Sequence, residues 1–282
     1  MPAPFSTAAL PACAVMGIVN VTPDSFSDGG RFLDPAAAVA HGLELAAHGA
    51  AIVDIGGEST RPGAEPVDAA EEARRVLPVV AELAARGVVV SIDTTKAAVA
   101  RQAIDAGARV VNDVSAGTAD PEMLAAVAAA DVGFVAMHMR GTPRTMQQHT
   151  NYHDVVGEVT DHLVARVAAA RDAGVRADAV LADPGIGFAK TGEQNVELLA
   201  RIGELVDALA VPVVVGASRK SFIAPLTDGL DVSARDDPTL ATTVWAFTRG
   251  VRVVRVHDVA TTVRAAHFLH VIRRATPEGM VA

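Results

Sequence analysis

Residues 85–114 read ARGVVVSIDTTKAAVARQAIDAGARVVNDV, and this stretch decides the fold. Val88–Ile92 is a nearly unbroken run of β-branched apolar residues. Such a run suits a parallel strand buried on both faces. An Ala-rich amphipathic stretch, Lys96–Ala106, follows it, and Gly107 stands where a helix-ending glycine belongs. A second apolar run, Arg109–Asn112, then begins. Strand, helix and strand in this order form a βαβ unit, which pairs its two strands in parallel.

The same unit repeats outward in both directions. Further strands are expected at Ala14–Val19, Ala51–Ile55, Val132–Met137, Ala179–Ala182, Pro212–Val215 and Val251–Val256. Further helices are expected at Pro35–Ala47, Asp68–Arg86, Pro121–Ala130, Asp154–Ala173, Glu193–Asp207, Pro238–Arg249 and from about Thr261 to Arg274. Asp34-Pro35, Asp120-Pro121 and Asp237-Pro238 each set a capping residue before a proline at the first helical position. Gly49, Gly87, Gly174 and Gly250 repeat the punctuation of Gly107. Eight strand–helix units with no linker between them predict a single (β/α)8 TIM barrel over residues 1–282, with 1–12 as a loose N-terminal tail. The competing architecture, an open doubly wound sheet, calls for G-x-G-x-x-G after the first strand. Asn20-Val21-Thr22-Pro23 stands there instead.

The composition narrows the partners. The 282 residues carry a formal net charge of −9, half of them are apolar, and 20% are charged. An acidic surface disfavours nucleic acid and anionic membranes, so any anion site must be a local concentration of basic groups. The apolar surplus is largely Ala and Val scattered between charges, which is not the pattern of a membrane protein. The opening MPAPFSTAALPACAV has no basic residue, and reads as tail plus strand rather than a signal peptide. Cys13 is the one cysteine, so no internal disulfide is expected, and the chain reads as cytoplasmic. None of the nine histidines falls in an H-E-x-x-H spacing, which speaks against a zinc site.

In a barrel, chemistry sits where the strands end and the βα-loops converge, at the C-terminal rim. The first polar residues after the apolar runs are Asn20, Asp54 (with Glu58 beyond), Asp93, Asn112-Asp113, His138, Asp183, Ser218-Arg219-Lys220, and Arg255 with His257-Asp258. One polar strand end is ordinary, because the chain meets water there. Eight in succession point to a functional rim. Asp93, Asn112 and Asp183 offer acceptors and an amide that can read the edge of a flat heterocycle, and a carboxylate facing two N–H groups binds them in bidentate fashion. Lys220, Arg255 and His257 lie on the last two strands, the sector that often holds phosphate. The competing reading of this basic trio is salt bridging to neighbouring carboxylates. Asn20 is a candidate single oxygen ligand for magnesium held through a substrate phosphate. Asn20–Arg31 and Gly56–Gly63 are long, polar and Gly-rich, as loops that fold over a site are, and carry Phe26 and Arg61.

These segments resemble a known family. Met16–Gly30 (MGIVNVTPDSFSDGG) and Asp54–Gly63 (DIGGESTRPG) are similar to the two signature segments of the dihydropteroate synthases. The likeness continues through Ser91–Thr94, Val111–Val114, Met137–Met139, Asp183–Lys190 (DPGIGFAK), Gly216–Ser221 (GASRKS) and Arg255–Val259, touching every strand end. The resemblance implies a transferase of folate biosynthesis. It would condense p-aminobenzoate with 6-hydroxymethyl-7,8-dihydropterin diphosphate, with Mg²⁺, through a pterin-stabilised cation, and would work as a homodimer. It implies that Asp93, Asn112, Met137, Asp183, Lys220 and Arg255 hold the pterin. Asn20, Thr60, Arg255 and His257 would hold the diphosphate, with Asn20 on the metal. Phe26, Arg61, Pro62, Phe188 and Ser218 would line the p-aminobenzoate pocket, where sulfonamides compete in this family. Asp28, Arg61 and Lys220 would act in catalysis, Asp28 facing the reacting methylene. Two alternatives remain: a methyltransferase-type pterin-binding barrel, and a non-catalytic pterin-binding paralogue.

Overall fold

The computed structural model describes residues 4–22 and 34–275. Strands and helices alternate along the chain. β1 is Ala14–Asn20, α1 Pro35–Ala47, β2 Ile52–Gly56, α2 Ala69–Ala85, β3 Val90–Asp93, α3 Ala97–Asp105, β4 Val110–Asp113 and α4 Met123–Ala130. β5 is Gly133–Met137, α5 Val155–Asp172, β6 Val180–Asp183, α6 Gly192–Ala200, α7 Ile202–Ala208, β7 Val214–Val215, α8 Asp236–Thr248, β8 Val253–Val256 and α9 Val259–Ala275. All pairings are parallel, in the order β6-β5-β4-β3-β2-β1-β8-β7. The ring closes between β6 and β7 through one parallel bridge, Ala182 to Val213, where the Ala182 N–H donates to the Pro212 carbonyl at 3.0 Å. This is the (β/α)8 barrel expected from the strand–helix repeat.

The strands close because their side chains are apolar on both faces. Met16, Ile52, Ile55, Ile92, Phe134 and Leu181 are fully buried, and each such side chain contributes on the order of 1.5–3 kcal/mol on leaving water. Asp34 caps α1 as its Oδ1 accepts from the Ala36 N–H at 3.0 Å, with Pro35 as the first helical residue. Thr191 and Gln194 form a reciprocal capping box at the start of α6. Gly49, Gly87, Gly107, Gly174 and Gly250 all adopt positive φ where helices hand over to strands.

Three expectations need correction. The stretch Glu193–Asp207 is two helices, broken at Arg201, whose guanidinium bridges Glu197, Glu204 and Asp154 around the bend. Two of the three Asp-Pro caps are displaced: α4 starts at Met123, past Pro121, and α8 starts at Asp236, so Pro238 is its third residue, whose missing N–H is one that a first turn leaves unbonded anyway. The segment before β1 is not a loose tail over the described residues 4–12. Phe5 and Leu10 are buried, and a Cβ at Gly133, the first residue of β5, would come within 2.5 Å of the Phe5 ring. Arg176 donates to the Phe5 carbonyl and Arg252 to that of Leu10. The segment caps the floor of the barrel, opposite the strand ends that carry the polar residues.

Candidate active site

At the C-terminal rim the strand ends surround a polar cavity. Asp93, Asn112, Met137, Asp183, Lys220 and Arg255, the expected ring-binding set, all line it. Thr60 and Phe188 line it too, with Val114, Gly185, Ile186 and Gly216 completing the wall. Asp93, Asn112 and Asp183 come from the C-terminal ends of β3, β4 and β6; the parallel register sets Asp93 beside Asn112, and Asp183 beside Met137 of β5.

Arg255 organises the floor. From β8 its Nε donates to Asp54 Oδ2 at 2.6 Å and its Nη2 to Asp93 Oδ2 at 3.0 Å. Asn112 Nδ2 also donates to Asp54 Oδ2, at 3.1 Å. Burial pushes Asp93 up to about 7; the Arg255 cation opposes that rise, while the Asp54, Glu72 and Asp113 charges add to it. Burial works against the Arg255 charge, but Asp54 and Asp93 more than offset it, and its pKa is raised. Arg255 is thus salt-bridged to two carboxylates, as the competing reading of the basic trio expects, and it also lines the cavity.

Across the cavity, Asp183 Oδ1 accepts from the Gly185 N–H at 2.7 Å. Burial raises the Asp183 pKa, and the Gly185 N–H, Lys220, Arg255 and Lys190 pull it back. The Lys220 ammonium lies 4.0 Å above the Phe188 ring; burial, helped by Arg255, brings it down to about 8. The cavity thus juxtaposes two carboxylates and two cations around a narrow space with one aromatic wall. A flat ring bearing both donors and acceptors, and linked to an anion, fits that chemistry.

Among the described residues, Ser218, His257, Asn20 and Arg61 lie near this centre. Ser218 and His257 form one unit: Ser218 Oγ hydrogen-bonds His257 Nδ1 at 2.8 Å and accepts from the His257 backbone N–H at 3.2 Å. Burial and the surrounding Arg219, Arg255, Arg61 and Lys220 charges hold the His257 pKa well below the usual histidine range. The basic trio of the sequence therefore contains two cations and one neutral imidazole, which can still donate a hydrogen bond. Asn20 ends β1, with its side-chain oxygen on the Gly56 side near Asp93. Arg61 and Pro62 are exposed on the loop after β2. Phe26 and Asp28 lie outside the described residues. Arg219 turns away from Lys220 to pair with Asp236 at 2.7 Å, which anchors the loop after β7.

Three features have no assigned role in the sequence reading. Asp54 is fully buried inside β2 rather than at its end, and is the counter-charge of Arg255. Lys96 bridges Glu58, on the loop after β2, and Glu72, a fully buried carboxylate of α2. Burial raises the Glu72 pKa, and Lys96 opposes the rise. Arg75 adds a bond to the Gly57 carbonyl at 3.0 Å, so the loop carrying Thr60, Arg61 and Pro62 is tied down at its root. Lys190 is buried behind the loop after β6, beside His138. A signal for Glu72 was present: it shares the buried helical stripe with Val76, Val79 and Leu83.

Comparison with known proteins agrees with this geometry. Residues 16–257 match the family model described as "Pterin binding enzyme". The dihydropteroate synthase of Mycobacterium leprae is 50% identical over 270 residues, covering 94% of this chain and 95% of that one. The dihydropteroate synthase of Synechocystis is 48% identical, covering 87% of this chain and 85% of that one. A structure of the Xanthomonas albilineans dihydropteroate synthase with 4-aminobenzoic acid superposes with a TM-score of 0.87 at 47% identity, covering 95% of both chains. Family model, relatives and fold converge on one assignment: this chain belongs to the pterin-binding enzymes, in the dihydropteroate synthase family.

Proposed function

We propose that the chain condenses 6-hydroxymethyl-7,8-dihydropterin diphosphate with p-aminobenzoate, giving 7,8-dihydropteroate and diphosphate. The observation that carries the reading is the cavity that Asp93, Asn112, Asp183, Lys220 and Arg255 line together. A related structure from Xanthomonas albilineans, with a TM-score of 0.83 at 44% identity, holds 7,8-dihydropteroate.

In this reading Asp183 and Asn112 grip the edge of the pterin, and Lys220 and Met137 flank it. Asp93, held by Arg255, faces the ring from the floor. The C–O bond to diphosphate breaks and leaves a cation delocalised over the pterin; the amine nitrogen then forms the new C–N bond and loses a proton. The amine of p-aminobenzoate is already nucleophilic, so the protein contributes positioning and electrostatic stabilisation. Arg255, Asn20, Thr60 and the His257–Ser218 pair serve the departing diphosphate. The p-aminobenzoate pocket is assigned to Phe26, Arg61, Pro62, Phe188 and Ser218, and stabilisation of the cationic methylene to Asp28.

Magnesium fits this arrangement through Asn20 alone. Its side-chain oxygen is a hard donor at the rim, and Mg²⁺ takes oxygen ligands, mostly from water and substrate phosphate. When bound it would neutralise charge on the departing diphosphate. The proposal extends to a single domain acting as a homodimer in the cytoplasm. Support for pairing comes from an exposed apolar groove between α6 and α8, lined by Val196, Leu199, Phe222, Leu226 and Trp245. No helix of the described residues is long and apolar enough to cross a membrane. A diphosphate-release assay decides the function. Release dependent on p-aminobenzoate supports it; methyl transfer from methyltetrahydrofolate with no diphosphate released, or pterin binding with neither reaction, would assign one of the two alternatives.

A further inference from the structure

The loop Pro184–Ala189 arches from the end of β6 over the cavity and presents Gly185, Ile186 and Phe188 to it. It sits directly on the end of β5. The His138 N–H donates to the Asp183 carbonyl at 2.9 Å, and a Cβ at Gly185 would lie only 2.0 Å from the His138 carbonyl oxygen. The arch is held from behind by Lys190, whose side chain is buried at 3% exposure. The Lys190 Nζ donates to the Gly185 carbonyl at 3.0 Å and the Phe188 carbonyl at 2.9 Å, one at each foot of the arch. Its third partner, at 3.0 Å, is His138 Nδ1. Two further tethers point the same way: Tyr152 donates to the Ala189 carbonyl at 3.0 Å, and Asn195 accepts from the Gly187 N–H at 2.6 Å.

We infer that Lys190 is a positioning residue for the pterin-facing wall: by binding both feet of the Gly185–Phe188 arch it fixes the wall and the Asp183 carboxylate against which the ring is read. The inference rests on the proposed pterin reading of the cavity. An ammonium that meets three neutral acceptors and no carboxylate among the described residues is a costly way to fill a buried space, and an apolar side chain of the same length would avoid that desolvation. Burial brings Lys190 down to about 7, with the nearby Asp183 opposing the fall. Burial and the Lys190 charge together hold His138 down to about 2, so its imidazole is neutral and able to accept. What the ammonium supplies that an apolar residue cannot is the simultaneous hold on two carbonyls. The Asp183 Oδ1 bond to the Gly185 N–H transmits that hold to the carboxylate.

The test is calorimetry of 6-hydroxymethyl-7,8-dihydropterin and of its diphosphate on the full chain, wild type against Lys190→Met, with thermal melting alongside. Lys190→Met should weaken both ligands by the same factor, about 10-fold or more, the scale of a mispaired buried polar contact. The melting midpoint should move by only a few degrees. Equal affinity in wild type and variant overturns the inference, and so does weakening confined to the diphosphate-bearing ligand, which would place Lys190 on the leaving-group side. If Lys190→Met does not fold, Lys190→Gln decides, because its amide retains N–H donors without the charge; it should show a smaller loss, again equal for both ligands. Failure of both variants to fold overturns the inference and makes Lys190 a residue of barrel stability. A wild type that binds neither pterin would overturn the reading of the cavity itself, and this one with it.

Discussion

Replacing Arg255 with methionine should destabilise the protein in a pH-dependent way. The guanidinium bridges Asp54 at 2.6 Å and Asp93 at 3.0 Å, and the Asp54 side chain has no exposure. Among the described residues Asp54 Oδ1 has no partner even now, so after the substitution Asn112 alone of them would still bond that carboxylate. Removing one partner of a buried ion pair costs about 3–5 kcal/mol, because the other charge is left uncompensated. For a domain of this size each kcal/mol lowers the melting midpoint by roughly 2–4 °C, so a fall of about 6–12 °C or more is expected at pH 8. Asp93 sets the sign of the pH dependence. Its folded-state value, about 7 in the intact protein, is above that of an unfolded aspartate. The penalty is therefore absent below the unfolded value and grows as pH rises through the folded one. Without the Arg255 cation the folded value moves higher still, and the gap between wild type and variant widens from pH 5.5 to pH 8. Thermal melts of both proteins at the two pH values measure this. A deficit below about 2 °C at pH 8, or one equal at both pH values, would refute the ion-pair argument.

The other substitutions separate binding from turnover. Asp183→Asn should weaken the pterin by about 10- to 100-fold with the fold intact, since an amide presents a donor where an acceptor is needed; unchanged affinity by calorimetry would remove Asp183 from the site. Gly185→Ala should also weaken the pterin, because its Cβ would meet the His138 carbonyl at 2.0 Å and the φ of 67° disfavours a side chain. Wild-type affinity in that variant would mean the arch yields freely. Arg61→Ala and Asp28→Ala should spare binding of the pterin diphosphate and depress turnover by roughly 10²-fold or more. Full activity in both would leave p-aminobenzoate without its proposed partners.

Much of the rim was legible because buried parallel strands are continuous apolar runs, so the first polar residue marks where each strand leaves the barrel. That logic found Asp93, Asn112 and Asp183, and the structure brings them to one cavity. It failed at Asp54, which is polar inside its strand, because the partner that makes it tolerable is Arg255, far along the chain. Lys190 was visible only as the last letter of a loop, since its side chain points back into the protein toward carbonyls that a sequence does not display. Lys96 was read as the start of a helix, and nothing local says that it reaches Glu58 and Glu72. Phe5 and Leu10 were misread in an otherwise small-residue segment. They are its large apolar side chains, and a barrel needs its open floor covered. Local pattern thus locates the elements, while long-range charge pairing is settled only by closure of the ring.

That closure has a mechanical consequence. Seven of the junctions between neighbouring strands are runs of paired residues, and the eighth, between β6 and β7, rests on the bridge from Ala182 to Val213. The barrel is in effect a split ring, and the split opens directly onto the cavity. Asp183 extends one lip, while Gly216 and Lys220 follow from the other. In the proposed pose a ring held between Asp183 and Lys220 would span the gap as a clasp spans a bracelet. A pterin bound as proposed would therefore add a cross-link at the junction where the backbone pairing is shortest.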